Sequence, residues 1–275
     1  MNGSSLRRKA TTAIFFSALL MVAGCKTTET PLVGQALDSL TGSHDISEDR
    51  LSTAAANAIA EGKTDEALTL YERLYTQTHS GFFLPDDVTH RDIALNYAQL
   101  LRRTGKAQRA LDVLAPFMKD TGSRPRRNYK PDPVVLNEYA AGSIETGDFE
   151  KAEKLLNQVL EDKDAAKAHA DAHNLLGIIL DAKDQHKEAE QSFRQALDNW
   201  KGDKTSVMNN LGLCLASQGM FDESLMTLRQ ALIMAPQKQE IAGNIRMVTD
   251  LRKSVIPAAP VGPGEKKSHT GSVKQ

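Results

Sequence analysis

Only two cysteines, Cys25 and Cys214, occur in the 275 residues, too few for a disulfide framework. Aromatic residues make up 5% of the chain and there is one tryptophan. Interiors must therefore be built largely from alanine and leucine, which suits helices that approach closely. Neither sign of charge dominates: 34 Lys and Arg stand against 35 Asp and Glu, a formal charge of −1. The whole chain thus lacks the basic excess of a nucleic-acid-binding protein. Motifs that carry chemistry are also missing. There is no nucleophile elbow, metalloprotease helix, paired-cysteine zinc spacing or dinucleotide fingerprint. With 40% hydrophobic and 25% charged residues, the composition is that of an ordinary globular protein.

What the chain does have is a period. Thr205 to Lys238 holds two apolar-periodic segments around one turn over 34 residues. Leu211-Gly212 occupy its seventh and eighth places, Leu215 the eleventh, Ser224 the twentieth, Leu228 the twenty-fourth, Ala231 the twenty-seventh and Pro236 the thirty-second, with Gly219 at the turn. Small residues let helix A and helix B approach, bulky ones fill the space between them, and the proline ends helix B. The same places align over 48–81 (Ala54-Ala55, Gly62, Ala67, Tyr71, Leu74) and 91–124 (Tyr97-Ala98, Leu101, Gly105, Ala110, Leu114, Phe117). They align again over 133–166 (Tyr139-Ala140, Gly147, Ala152, Leu156, Val159) and 170–203 (Leu176-Gly177, Leu180, Ala189, Phe193, Ala196), where Asp184 replaces the turn glycine. This resembles the tetratricopeptide repeat (TPR), with its period of 34, early Leu-Gly pair and late proline. The resemblance implies an all-α, right-handed superhelical solenoid of about five helix-turn-helix repeats. One unit cannot bury its own apolar face, so neighbours are required. An irregular helical bundle is the competing architecture. Residues 239–254 read as one more helix, with Ile241, Ile245, Val248 and Leu251 at helical spacing, that caps the last repeat. Residues 255–275, rich in Pro, Gly and Lys, read as a disordered tail. Its GPGEKKS run has the wrong spacing for a phosphate loop.

At the other end, Arg7, Arg8 and Lys9 precede a short apolar run, Ala10 to Ala23, too short to span a bilayer comfortably. The run ends in Val22-Ala23-Gly24-Cys25, which resembles the lipobox of bacterial lipoproteins. That resemblance implies cleavage before Cys25, diacylglycerol on its thiol and an acyl chain on the new amino group, with no other cofactor. Several chains anchor more firmly than one. An ordinary signal peptide with a chance cysteine, or an uncleaved anchor, are the alternatives. Lys26 rather than an aspartate follows the cysteine, which by that family's sorting rule implies the periplasmic face of the outer membrane. The expected organisation is a signal peptide over 1–24, a flexible lipidated tether over 25–47 and a repeat domain over 48–254. Removing the signal, with three basic and no acidic residues, leaves 31 Lys and Arg against 35 Asp and Glu, a charge of −4.

Carrying TPR groove places over repeat by repeat assigns a concave surface. It takes Asp92, Leu95, Gln99, Arg102 and Arg103 from the second unit, and Val134, Asn137, Ala141, Ile144 and Glu145 from the third. The fourth adds Asp171, Asn174, Ile178 and Asp181, and the fifth Ser206, Asn209, Leu213 and Ala216. Asn137, Asn174 and Asn209 share one place in three consecutive units. An amide both donates and accepts, so such a row can hold the main chain of an extended peptide, with Ile144, Ile178 and Leu213 supplying pockets. A wet groove with no dedicated ligand is the bland reading. The lysine-asparagine arrangement by which chaperone-binding TPRs clamp a terminal carboxylate is not present.

Other features carry less. His169 and His173 stand one helical turn apart but lack a glutamate between them, and His173 falls on a packing place, so no metal is expected. Cys214, in mid-helix between Leu213 and Leu215, reads as a buried inert thiol. The pairs Asp148/Glu150 and Asp222/Glu223 suit the starts of B helices. The joint Phe82-Phe83-Leu84-Pro85 reads as packing before docking. Arg126, Arg127 and Lys130, between Arg124 and Pro133, read as a solvated loop before a site for an acidic partner or lipid head group.

Signal, lipobox, tether, five repeats and tail together resemble the TadD-like outer-membrane TPR lipoproteins of the tight-adherence (Flp/Tad) pilus system. The resemblance implies a non-catalytic pilotin: the groove binds a segment of the pilus secretin, and the lipid carries both to the outer membrane. Nucleic acid and small-molecule substrates are not implied. The alternative is a lipidated TPR adaptor that scaffolds peptidoglycan hydrolases or other envelope complexes.

Overall fold

The computed structural model describes residues 47–79, 88–119 and 129–255. These residues form eleven α-helices and two short 3-10 turns, with no strand among them. Ten helices pair into five antiparallel hairpins: α1 (Glu48–Ala60) with α2 (Thr64–His79), α3 (Val88–Arg103) with α4 (Ala107–Leu114), α5 (Pro133–Glu145) with α6 (Phe149–Glu161), α7 (His169–Ala182) with α8 (His186–Asn199), and α9 (Thr205–Ser217) with α10 (Phe221–Met234). A single helix, α11 (Gln239–Val255), follows. Each helix packs on the next, and the first helices of successive hairpins also come close from α3 to α11. The second helices approach less closely, meeting through Tyr75 and the Val113 carbonyl and through the ion pairs Arg109–Glu72 and Arg194–Glu223. The array therefore curves with the first helices on its inner side.

The hairpin turn repeats in detail. Gly62, Gly105, Gly147 and Gly219 all have positive φ, a conformation that glycine adopts without steric penalty. The residue after each donates its N–H back to the carbonyl five residues earlier: Lys63 to Ala58, Lys106 to Leu101, Asp148 to Ser143 and Met220 to Leu215, at 2.8–3.0 Å. This satisfies carbonyls that a helix end would otherwise orphan. The fourth hairpin makes the same bond, Gln185 to Leu180, with Asp184 in the glycine's place at φ 61°. An aspartate in that region is strained, although it tolerates the region better than most residues. Asp184→Gly is expected to raise stability by about 0.5–1 kcal/mol, read as a higher melting temperature.

Between the helices of each hairpin the core follows the period. Ala67, Ala110, Ala152, Ala189 and Ser224 sit where the two helices cross, and all five are buried. One turn on, Tyr71, Leu114, Leu156, Phe193 and Leu228 fill the space between the helices. Opposite them, Ala55, Ala98 and Ala140 give way to Gly177 and Gly212, whose absent Cβ atoms would lie 2.6 Å from the Phe193 ring and from Leu228 Cγ. Ser224 returns its hydroxyl to the Gly212 carbonyl at 2.6 Å, so this one polar crossing residue is satisfied. The interior runs on through all five hairpins and ends where Ile241 and Val248 of α11 close over Leu225 and Leu228.

Candidate protein-binding groove

The inner side of the array is built by α3, α5, α7, α9 and α11, and its asparagines form a ladder between them. Asn210 Nδ2 on α9 donates to Asn174 Oδ1 on α7 at 3.1 Å, and Asn244 Nδ2 on α11 donates to Asn209 Oδ1 on α9 at 2.8 Å. Asn137 Nδ2 on α5 donates to the Ala168 carbonyl, just ahead of α7, at 2.9 Å. The row of Asn137, Asn174 and Asn209 therefore ties successive repeats together. Asn174 and Asn209 are half-buried, and the Nδ2 of each keeps its hydrogens for another acceptor. Asn137 is 5% exposed, and its Oδ1 is buried with no donor. Asn210 and Asn244 were not among the residues that the sequence pointed to. The signal for them is present, because each lies one place beyond the shared position in the following helix.

Charge on this wall is concentrated between α3 and α7. Arg102 Nε donates to Glu138 Oε1 at 2.5 Å, Nη2 reaches Glu138 Oε2 at 3.3 Å, and Nη1 pairs with Glu145. Burial works against the Arg102 charge, but Glu138 and Glu145 outweigh it and hold the guanidinium above its ordinary range. The protein packed around Glu145 pushes its carboxyl up, against the pull of Arg102. Asp171, at the start of α7, faces solvent and makes no hydrogen bond or ion pair among the described residues. Surrounding protein, and after it Glu138, raises its carboxyl above the usual range.

The other groove residues divide by exposure. Asp92, Arg103, Val134 and Ser206 are open to solvent; Gln99, Ile178 and Leu213 are half-buried. Leu95, Ala141, Ala216 and Ile144 are buried and form the floor. Ile144 packs with Leu136, Ala140 and Leu156, so of the three residues expected to supply pockets Ile178 and Leu213 are the ones that stay partly open. Asp181 is buried too, bonded to His186 Nδ1 at 2.6 Å.

Two sets of known proteins show likeness. The tetratricopeptide-repeat family model matches residues 133–202, which span α5 to α8. A thermophilic TPR protein of Thermus thermophilus superposes with a TM-score of 0.54 at 21% identity, covering 74% of this chain and 99% of that one. The fold is a tetratricopeptide-repeat solenoid. The apo form of RapI matches with a TM-score of 0.55 at 14% identity, covering 75% of this chain and 77% of its own. The APC/C hetero-tetramer Cut9–Hcn1 gives 0.57 at 15% identity, covering 91% of this chain and 43% of that one. At such identities the likeness concerns the fold alone. No curated protein matches the sequence.

Elsewhere in the solenoid, Cys214 is fully buried and its Sγ–H donates to the His186 carbonyl at 3.2 Å. Burial first, then Asp181, pushes its thiol far up, so no thiolate forms there. Although Cys214, His186 and Asp181 adjoin, the sulfur meets the histidine main chain rather than its ring. His169 Nε2 lies 3.0 Å from the Asp162 carbonyl; burial, then His169, lowers the His173 pKa. Among the described residues no group of three His, Cys, Asp or Glu could hold a metal, and no helix is long and apolar enough to cross a membrane. Lys130 pairs with Asp162 at 3.6 Å. Val22, Ala23, Gly24, Cys25, the 82–85 joint, Arg126, Arg127 and the tail from Pro257 lie outside the described residues.

One surface breaks the solenoid's pattern. On the outer side of α10, Met226 is 64% and Ile233 80% exposed, with Met234 beside them. The equivalent places of Met226 and Ile233 in the other repeats are Thr69 and Thr76, Asp112 and Lys119, Lys154 and Glu161, and Gln191 and Asp198. Only the fifth repeat presents an apolar stripe there.

Proposed function

We propose that this solenoid is a non-catalytic, lipid-anchored outer-membrane protein whose groove binds a protein partner. We further propose that it serves as pilotin and assembly factor for the secretin of a Flp/Tad-type pilus system. A TPR scaffold is suited to protein–protein interaction, and the observation that carries the groove reading is the asparagine ladder. Asn174 and Asn209 are fixed by their Oδ1 bonds while each half-buried amide retains free N–H donors. A pre-positioned amide is what main-chain recognition of an extended segment requires. The address rests on Val22-Ala23-Gly24-Cys25 and Lys26, and the secretin on the likeness of the whole chain to lipidated TPR proteins of such systems.

The test is genetic and biochemical. Deleting the gene and fractionating membranes is expected to remove secretin multimers from the outer membrane on unheated gels. Cys25→Ser is expected not to restore them. Multimers in place and in normal amount would sink the pilotin role. Asn174→Ala with Asn209→Ala is expected to weaken partner binding at least about tenfold, through two lost hydrogen bonds of about 1 kcal/mol each. A melting curve separates this from any loss of the ladder.

The adaptor alternative has its own support in the stripe at Met226 and Ile233, since exposed apolar surface of this kind marks interaction sites. Binding that survives Asn174→Ala/Asn209→Ala but fails in Met226→Lys/Ile233→Lys moves the partner to the outer side and favours the adaptor.

A further inference from the structure

The section of the groove between α5 and α7 is rich in acceptors and poor in donors. Glu138, Glu145 and Asp171 bring three carboxylates to it, and Arg102 alone answers two of them. Asp171 has no cationic partner among the described residues, although it stands close enough to Glu138 for the two charges to repel. A second, separate feature marks the same seam. The Asn137 amide is held by the Ala168 carbonyl at the threshold of α7, three residues ahead of Asp171. Its Oδ1 is nevertheless left with no donor, though the side chain is 5% exposed. A buried acceptor without a donor loses its hydration and gains nothing in return, and such groups are rare in finished interiors. The Asn137 Oδ1 and the Asp171 carboxylate can each take a positive charge or an N–H, and no described residue donates to either.

We infer that the α5–α7 section of the groove takes a lysine or arginine side chain of an extended partner segment, seated against Asp171 beside the Arg102–Glu138–Glu145 cluster. This rests on the groove reading above and specifies its occupant: a segment with a basic residue at its centre, its flanking main chain running along Asn174 and Asn209. The local arithmetic of charge favours it. Arg102 leaves the cluster one negative charge in excess and Asp171 adds another, so an incoming cation meets attraction from both sides, with no basic group among the described residues bonded to Asp171. An acidic segment would meet the same two charges as repulsion, which is how a groove discriminates among partners of similar shape.

The probes are pools of acetylated, amidated nonapeptides, random at every place except the fifth, which is fixed as Lys, Arg, Ala or Asp. Each pool is passed over the full chain, solubilised in detergent and immobilised. Wild-type protein is expected to retain the Lys and Arg pools roughly tenfold over the Ala pool and to exclude the Asp pool, as one charge-assisted hydrogen bond predicts. Asp171→Asn is expected to bring that preference close to unity with an unchanged melting temperature, because the side chain faces solvent and holds no bond in the fold. Equal retention of all four pools that disappears in Asn174→Ala/Asn209→Ala overturns the basic occupant and leaves the groove reading standing. Retention indifferent to both sets of substitutions, or no retention of any pool, overturns both. A Lys and Arg preference that persists in Asp171→Asn overturns the assignment to this seam.

Discussion

Gly177→Ala is expected to lower the stability of the solenoid by about 3 kcal/mol, at the upper end of what overpacking a finished core costs. The new methyl carbon would stand 2.6–2.9 Å from three atoms of the Phe193 ring, closer than real contacts allow. A helical alanine would by itself be favourable by almost 1 kcal/mol, so the clash has to outweigh that gain. It does, because the obstacle is a planar ring buried in the close-packed crossing of α7 and α8. The melting temperature should fall by about 6–12 °C for a domain of this length. A double variant identifies the cause. Phe193→Leu alone removes buried area and is destabilising, but combined with Gly177→Ala it restores the alanine–leucine pairing that Ala140 and Leu156 already make in the preceding repeat. The double variant should therefore be more stable than the sum of the two losses predicts, by about 1–3 kcal/mol. Strict additivity would mean that the glycine serves some other purpose.

That pairing also shows how much of this molecule its sequence makes legible. Helix existence, hairpin turns and the crossing residues follow from a period that each repeat states again, and the one turn without glycine, at Asp184, keeps the same geometry under strain. The groove is less legible. Places counted within a repeat say which residues share a wall, but not what they touch across it. Asn137, Asn174 and Asn209 look like three free amides when counted this way, yet two of them accept from Asn210 and Asn244, one place further on in the next helix. Arg102 looks like an available cation, while its partners lie 36 and 43 residues away, on the next inner helix. Contacts between repeats depend on how successive helices are offset, and a periodic alignment sets that offset to zero. The apolar stripe at Met226 and Ile233 was open to inspection at the same places of every repeat, but those places face outward and the core pattern does not sample them.

Arg102→Ala is expected to destabilise the fold by about 2–3 kcal/mol, or roughly 5–10 °C in melting temperature, and to strengthen rather than abolish retention of basic peptides. The loss comes less from the missing attraction than from what is left behind. Glu138 is 8% exposed, and without the guanidinium it becomes a buried carboxylate facing Glu145 and Asp171 with no counter-charge. The full cost of removing one partner of a buried pair is reduced here because Arg102 and Glu145 both keep part of their side chains in water. An unpaired buried carboxylate binds a proton more readily in the folded than in the unfolded chain, so stability then falls as pH rises. The deficit of the variant should accordingly shrink between neutral pH and about pH 5, as the carboxyls can shed their charge. Arg102→Met with Glu138→Gln, which removes both charges and keeps much of the volume, should recover most of the loss. Peptide retention is the more telling readout. Were Arg102 a ligand-binding residue, its removal would weaken retention of the Asp pool or of all pools alike. As a structural counter-ion it instead holds down the negative potential of the seam, and its removal leaves Glu138 and Glu145 free to join Asp171 in attracting a cation. Stronger retention by a less stable protein is an outcome that a ligand-contacting Arg102 cannot produce.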